Sequence, residues 1–501
     1  MALNIGWAEY SITPEKKVSL KGQFAERISE YVEKPLVVTA FAAEAEEDHM
    51  VLVSCDLASI GVGLVEDVRA AVAGKAEGLD PNKIVISAIH THTGPGYTGV
   101  RSHGDIAGTV GHRRSLERYL APGQNYVEKV STQRGDVASE QEVYELLMEQ
   151  IPKAILQAWN TRSEGSFSNA FGRAAVGMCR RAAYSDDTAK MWGDTNTAVF
   201  DAIEGGNDSG IELLYVFGTE RKLTGIVVNL ACPAQCVQHR LFVSPDFWGE
   251  VRVLLRQYFG EDLFVLAQCS AAGDQCPVDL VRWVQPESEL NDPNCERPAD
   301  MPKRKADPSM FDLAGMKKAG RRIAREIIEV WEEGLDAPQT DPKLEHRVEI
   351  MRLPMRRATL SDIAAAEKGI REYLRDHPGD VDYNDVAKLQ IHLGTLQRFN
   401  LQNQKNVHDA EVHIIRMGSV VFATNPFELF LNFGNQIKAR SQAEQTFLVQ
   451  LTNSYDGYLP TAKAEQGGHY SAFVSSGIVG HEGGDLLVRQ TLTDIANLFK
   501  D

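Results

Sequence analysis

Lys83-Ile84-Val85-Ile86-Ser87-Ala88-Ile89-His90-Thr91-His92-Thr93-Gly94-Pro95-Gly96 is the stretch on which the reading of the fold turns. Its first six residues form a short apolar run rich in β-branched side chains, the mark of a buried strand. Gly94, Pro95 and Gly96 then turn the chain sharply. If extended backbone continues past the strand, the period of two sets His90 and His92 on one face. Open α/β sheets bind ligands at such strand ends, and neutral imidazole is a common zinc ligand. Two unrelated loop histidines would give the same bare His-x-His, so the pattern alone leaves both readings open.

Similar runs recur at 35–42, 50–56, 212–217, 224–230, 263–268, 411–416, 419–424 and 446–452. Helical period separates them at 61–74, 139–160, 247–259, 313–333, 360–375, 384–402 and 427–442. This alternation predicts an α/β fold, a mixed β-sheet flanked by helices, with antiparallel pairing where strands follow closely, as at 411–424. Segments 97–138, 281–312 and 335–348 read as insertions, and no internal repeat or low-complexity tract divides the chain. The expectation is one large catalytic domain over 1–501 with loop insertions, and a helical subdomain at 355–405 as the alternative organisation.

Composition narrows the function. Lys and Arg number 52 against 69 Asp and Glu, a formal charge of −17 in 501 residues. That balance argues against phosphate-backbone binding, so nucleic acid is not an expected partner. A hydrophobic share of 43% with 24% charged residues excludes a disordered chain. No window approaches the roughly 18 apolar residues of a membrane span, and the opening MALNIGWAEYSITPEKK has no secretory pattern. Seven cysteines, an odd number in a long chain, do not suggest a disulfide framework. A soluble cytoplasmic protein acting on a small molecule is expected, with homo-oligomerisation compatible.

Other segments carry potential chemistry. Glu428, after the strand at 419–424 and a proline, is placed in the first helical turn at 427–442, as a metal ligand, a general base, or an ordinary acid favoured by the helix dipole. Tyr455, Tyr458, His469 and Tyr470 cluster on irregular backbone rich in Gly and Pro, suited to facing substrate or to covering the core edge. Two cysteine-bearing turns, Asn229–Cys236 and Gln268–Pro277, each follow a buried strand and reach the same sheet edge, or hold their cysteines as small hydrophobes. His103, His112, Arg113 and Arg114 in the 97–138 insertion suit an anionic or polyhydroxylated substrate, or form a solvated basic loop.

In chain order, IGWAEYSITP, HTHTGPG, a Cys-Arg-Arg turn, a strand ending in Asn-x-Ala-x-Pro, Ala-Gly-Asp-x-x-Pro, Pro-x-Glu and the tyrosine loop resemble the neutral/alkaline ceramidase family over about residues 4 to 490. The resemblance is to the catalytic domain only, with little sequence left for the family's C-terminal immunoglobulin-like domain. It implies a catalytic zinc held by His90, the position of Cys232, Glu428 and Tyr458, with His239 as another candidate for the ligand at Cys232. It also implies that His92, Arg180 and Tyr470 meet the substrate. Cys232 stands where the family has its second zinc histidine, and Cys276 where it has a serine near the substrate. The implied activity is cleavage of an amide or related bond in a soluble substrate by zinc-activated water. Two other readings are a carbohydrate-active lyase or hydrolase using Tyr and His as acid and base, and a non-catalytic binding protein.

Overall fold

The computed structural model describes residues 2–46, 48–97, 109–128, 130–281, 311–335 and 338–500. Three four-stranded cores share one plan. Each runs strand, strand, strand, crossover helix, strand, helix, with neighbouring strands in sequence order. In the first unit the strands are Asn4–Ser11, Val37–Ala45, Asp48–Cys55 and Ile84–Ala88, with crossover helix Val62–Val72 and closing helix Glu140–Asn160. The second unit uses strands Ser166–Arg173, Gly210–Phe217, Leu223–Leu230 and Phe264–Cys269, with helices Phe247–Phe259 and Asp312–Glu329. In the third the strands are Leu344–Pro354, Val407–Met417, Val420–Thr424 and Gln445–Val449, and the helices Leu431–Arg440 and His481–Leu498. In every unit the first three strands pair antiparallel and the last two pair parallel. A helix must carry each parallel connection, because a tight turn cannot. The α/β expectation holds, and the threefold repeat of topology is a finding that the sequence, with no repeated motif, does not display.

Packing explains why the units form one body. One apolar cluster draws on all three sheets, with Trp7, Phe41 and Leu52 from the first, Leu214, Val227 and Leu266 from the second, and Ile415, Phe422 and Phe447 from the third. Each fully buried side chain of this size contributes roughly 1.5–3 kcal/mol. Three further clusters fill the space between each sheet and its helices. The innermost strand of each unit meets the others at the centre. Asn453 N donates to Ile86 O at 2.9 Å and Gln450 N to Cys269 O at 3.0 Å. The C-terminal ends of the parallel strands of all three units therefore open toward one place.

Helices Leu360–Asp376 and Tyr383–Gln402, each begun by a capping box, lie where helical period was read at 360–375 and 384–402, and they pack against each other. With helix Thr109–Glu117 they enclose their own small cluster around Leu116, Ile370 and Leu393. Other details depart from the sequence reading. Strand Leu344–Pro354 begins inside the stretch read as an insertion at 335–348. Helix His481–Leu498 was not expected, because Gly483 and Gly484 break the helical pattern; both are required, since a Cβ would lie 2.1 Å from Val479 Cγ1 and 2.4 Å from Phe433 Cζ. The helix expected at 427–442 starts at Leu431, so Glu428 sits instead on a two-residue strand, Glu428–Leu429, paired with Tyr458–Leu459.

Candidate active site

Strand Ile84–Ala88 ends before the histidines, and His90 takes a left-handed conformation, φ 63°, rather than extended backbone. The rings still converge, with centroids 4.8 Å apart and edge to face. His90 Nδ1 lies 2.5 Å from Ala58 O, and since a carbonyl only accepts, that nitrogen carries the proton. The remaining nitrogen, Nε2, faces Glu428 Oε2 at 3.4 Å. The first and third units thus meet at an imidazole–carboxylate pair.

Glu428 is buried, and burial by itself opposes its ionisation; His90, Arg180 and Tyr458 outweigh that and hold the carboxyl below its ordinary range. Tyr455 OH donates to Glu428 Oε1 at 3.0 Å. Arg180 lies between the short strands Met178–Cys179 and Arg181–Tyr184 and is pinned from three sides. Its guanidinium donates to Gln235 Oε1 at 2.8 Å, Gly273 O at 2.9 Å and Tyr458 OH at 3.3 Å, and stands 3.9 Å from Glu428 Oε2. The Tyr458 and Tyr470 rings meet edge to face at 5.4 Å, and the exposed Phe24 meets Tyr470 likewise at 5.3 Å. Burial, then the charge of Glu428, pushes all three phenols upward, so they are hydrogen-bond donors at neutral pH.

The structure thus brings together His90, His92, Arg180, Glu428, Tyr458 and Tyr470. Cys232 is placed differently. It is packed in the second unit's apolar cluster, its Sγ directed at Pro233 O at 3.5 Å, and burial raises its thiol well above the ordinary value. Among the described residues no three His, Cys, Asp or Glu side chains are grouped to hold a metal, so the expected set of His90, Cys232 and Glu428 is not assembled. His239 does not supply the missing group: its contacts are Gln238 Nε2 at 3.4 Å and the Phe311 ring, and burial lowers it to about 3. Cys276 is fully buried with its Sγ on Val278 O, its thiol pushed up to about 12 by burial. Arg113 is engaged on the surface by Glu117 and Glu128. His103 lies outside the described residues.

Gln235, which links Arg180 to His92, was missed because a neutral amide in a cysteine-bearing turn gives no chemical signal by itself. Tyr455 was seen only as one of several loop tyrosines. Its contact with Glu428 depends on Gln445–Val449 returning beside Val420–Thr424, which spacing along the chain does not reveal.

No family model matches the chain, and no curated protein matches it. Solved structures do. A neutral ceramidase from Pseudomonas aeruginosa superposes with a TM-score of 0.66 at 16% identity, covering 99% of this chain and 74% of that one. A ceramidase complexed with C2 gives 0.64 at 15%, covering 99% and 75%. Across nearly its whole length, the chain has the fold of the neutral ceramidases.

Proposed function

We propose that the chain is a hydrolase that cleaves an amide or related bond in a small soluble substrate, with zinc held by His90, Glu428 and Tyr458. One observation carries this reading. The Ala58 carbonyl engages His90 Nδ1, so Nε2 is the nitrogen turned to the buried carboxylate, 3.4 Å from Glu428 Oε2. A cation seated between these two atoms would be held by both. A backbone carbonyl on the far nitrogen is also the usual support of a metal-binding histidine. Cys232 lies outside the proposed set.

Zinc bound there would supply Lewis acidity and lower the pKa of a bound water. The chain's own groups do the rest. Arg180 presents a permanent positive charge, fixed before reaction, toward an oxygen that gains charge. Tyr470 adds a phenolic donor at the mouth, and Tyr455 orients Glu428. The lyase reading needs a tyrosine as base, and the burial that raises every phenol here works against it.

The test is incubation with a panel of soluble N-acyl amides in oxygen-labelled water. Amine release with one labelled oxygen in the acid product, reduced roughly 10²–10³-fold by Arg180→Met, is the expected result. An unsaturated product without label would establish a lyase instead. Absence of turnover across the panel would point to a binding protein.

A further inference from the structure

We infer that Gln235 is a positioning residue that holds His92 as the Nδ1–H tautomer, with Nε2 as the acceptor and Nδ1–H as the donor. The inference rests on the proposed hydrolase for its catalytic meaning, though not for its geometry.

The argument follows hydrogen-bond polarity from a fixed end. A guanidinium only donates, so the Gln235 atom 2.8 Å from Arg180 is its oxygen, and the amide nitrogen faces the other way. That nitrogen lies 3.2 Å from His92 Nε2 and 3.4 Å from Gln238 Oε1. Gln238 Oε1 also accepts from Gln23 Nε2 at 2.8 Å. Turning the Gln235 amide over would set donor against donor at Arg180 and oxygen against oxygen at Gln238. Both N–H groups of Gln235 are therefore committed, and His92 Nε2 accepts. A neutral imidazole that accepts at Nε2 carries its proton on Nδ1.

A ring nitrogen that accepts from an amide N–H carries no proton of its own, so His92 is neutral on the hydrogen-bond pattern. Among the described residues its buried Nδ1 has no hydrogen-bond partner. Gly22 packs directly on the ring, where a Cβ would come within 2.5 Å of His92 Cγ, so the imidazole has no room to turn and satisfy itself. That leaves a buried N–H whose tautomer is set from behind and whose acceptor is missing among the described residues, a donor that an oxygen of a bound substrate would satisfy.

Histidine-labelled protein examined by long-range nitrogen–carbon-proton correlation tests this, with the His92 signal assigned by its loss in His92→Gln. The wild type should show His92 protonated on Nδ1. In Gln235→Glu the carboxylate accepts from both Arg180 and His92, and the proton should move to Nε2. A wild-type His92 protonated on Nε2, or the same tautomer in both proteins, would overturn the inference. If Gln235→Glu does not fold, the wild-type tautomer alone decides. Zinc content measured on the same samples separates the two ideas: wild-type protein without zinc but with the Nδ1–H tautomer defeats the metal proposal and leaves this one standing.

Discussion

Asp56 and Glu428 occupy matching places, each in the turn between the third strand of a unit and its crossover helix, and each is buried. Asp56 is saturated. Arg252 of the second unit grips it bidentately at 2.7 and 2.8 Å, and Val37 N donates to it at 2.9 Å. Glu428 is not gripped in this way: the hydroxyls of Tyr455 and Tyr458, a guanidinium at 3.9 Å and the His90 imidazole at 3.4 Å surround it. The second unit puts Cys232 in the same turn, packed as a hydrophobe. One topology thus yields a strut, a plug and a carboxylate without a dedicated counter-ion. What distinguishes them is how completely each group is satisfied before any ligand arrives.

The comparison breaks first at the strut. Arg252→Leu leaves Asp56 charged and unpaired in the interior and should cost about 3–5 kcal/mol in denaturant unfolding. Asp56→Asn combined with Arg252→Met should recover most of it. A loss below about 1 kcal/mol in the single variant would mean that Asp56 is no better anchored than Glu428.

The helical hairpin offers a test away from all three turns. Burial lowers His112 from 6.5 to about 4. Below pH 6.5 the unfolded chain binds a proton that the folded chain refuses. This contribution is therefore complete above pH 6.5 and is lost as pH falls toward 4, about 3 kcal/mol in all. His112→Gln should flatten the stability curve over that window without altering zinc content.

The plug should matter less. Cys232→Ala removes one sulfur from an apolar cluster and should cost about 1 kcal/mol while zinc content stays unchanged. Loss of zinc would move Cys232 from plug to ligand and erase the contrast. The smallest effect belongs to Arg113, whose partners Glu117 and Glu128 lie at the surface. Arg113→Ala should leave the Tm unmoved within error.

The inner strands were legible because burial on both faces writes them as continuous apolar runs. The strands that were missed, Asn4–Ser11, Ser166–Arg173 and Leu344–Pro354, are the same element in each unit: the opening strand, whose partly exposed residues interrupt the run. Missing the same strand three times also hid the repeat. At the candidate site, His90 and Glu428 stood out as titratable groups beside Gly and Pro at strand ends, and Tyr458 was assigned a part only through the family resemblance; the structure brings the three together. Gln235 could not, because its role lies in the orientation of an amide between two partners that fold into place from other segments. Cys232 was misleading for the converse reason: position in the chain set it beside the site, and packing took it into the core.

The most direct test of the shared-cation reading is elemental analysis of the purified protein beside a His90→Ala, Glu428→Ala double variant. The account predicts about one equivalent of zinc in the wild type and none in the variant. A folded wild-type protein that carries no metal, and takes up none when zinc is added, would contradict it.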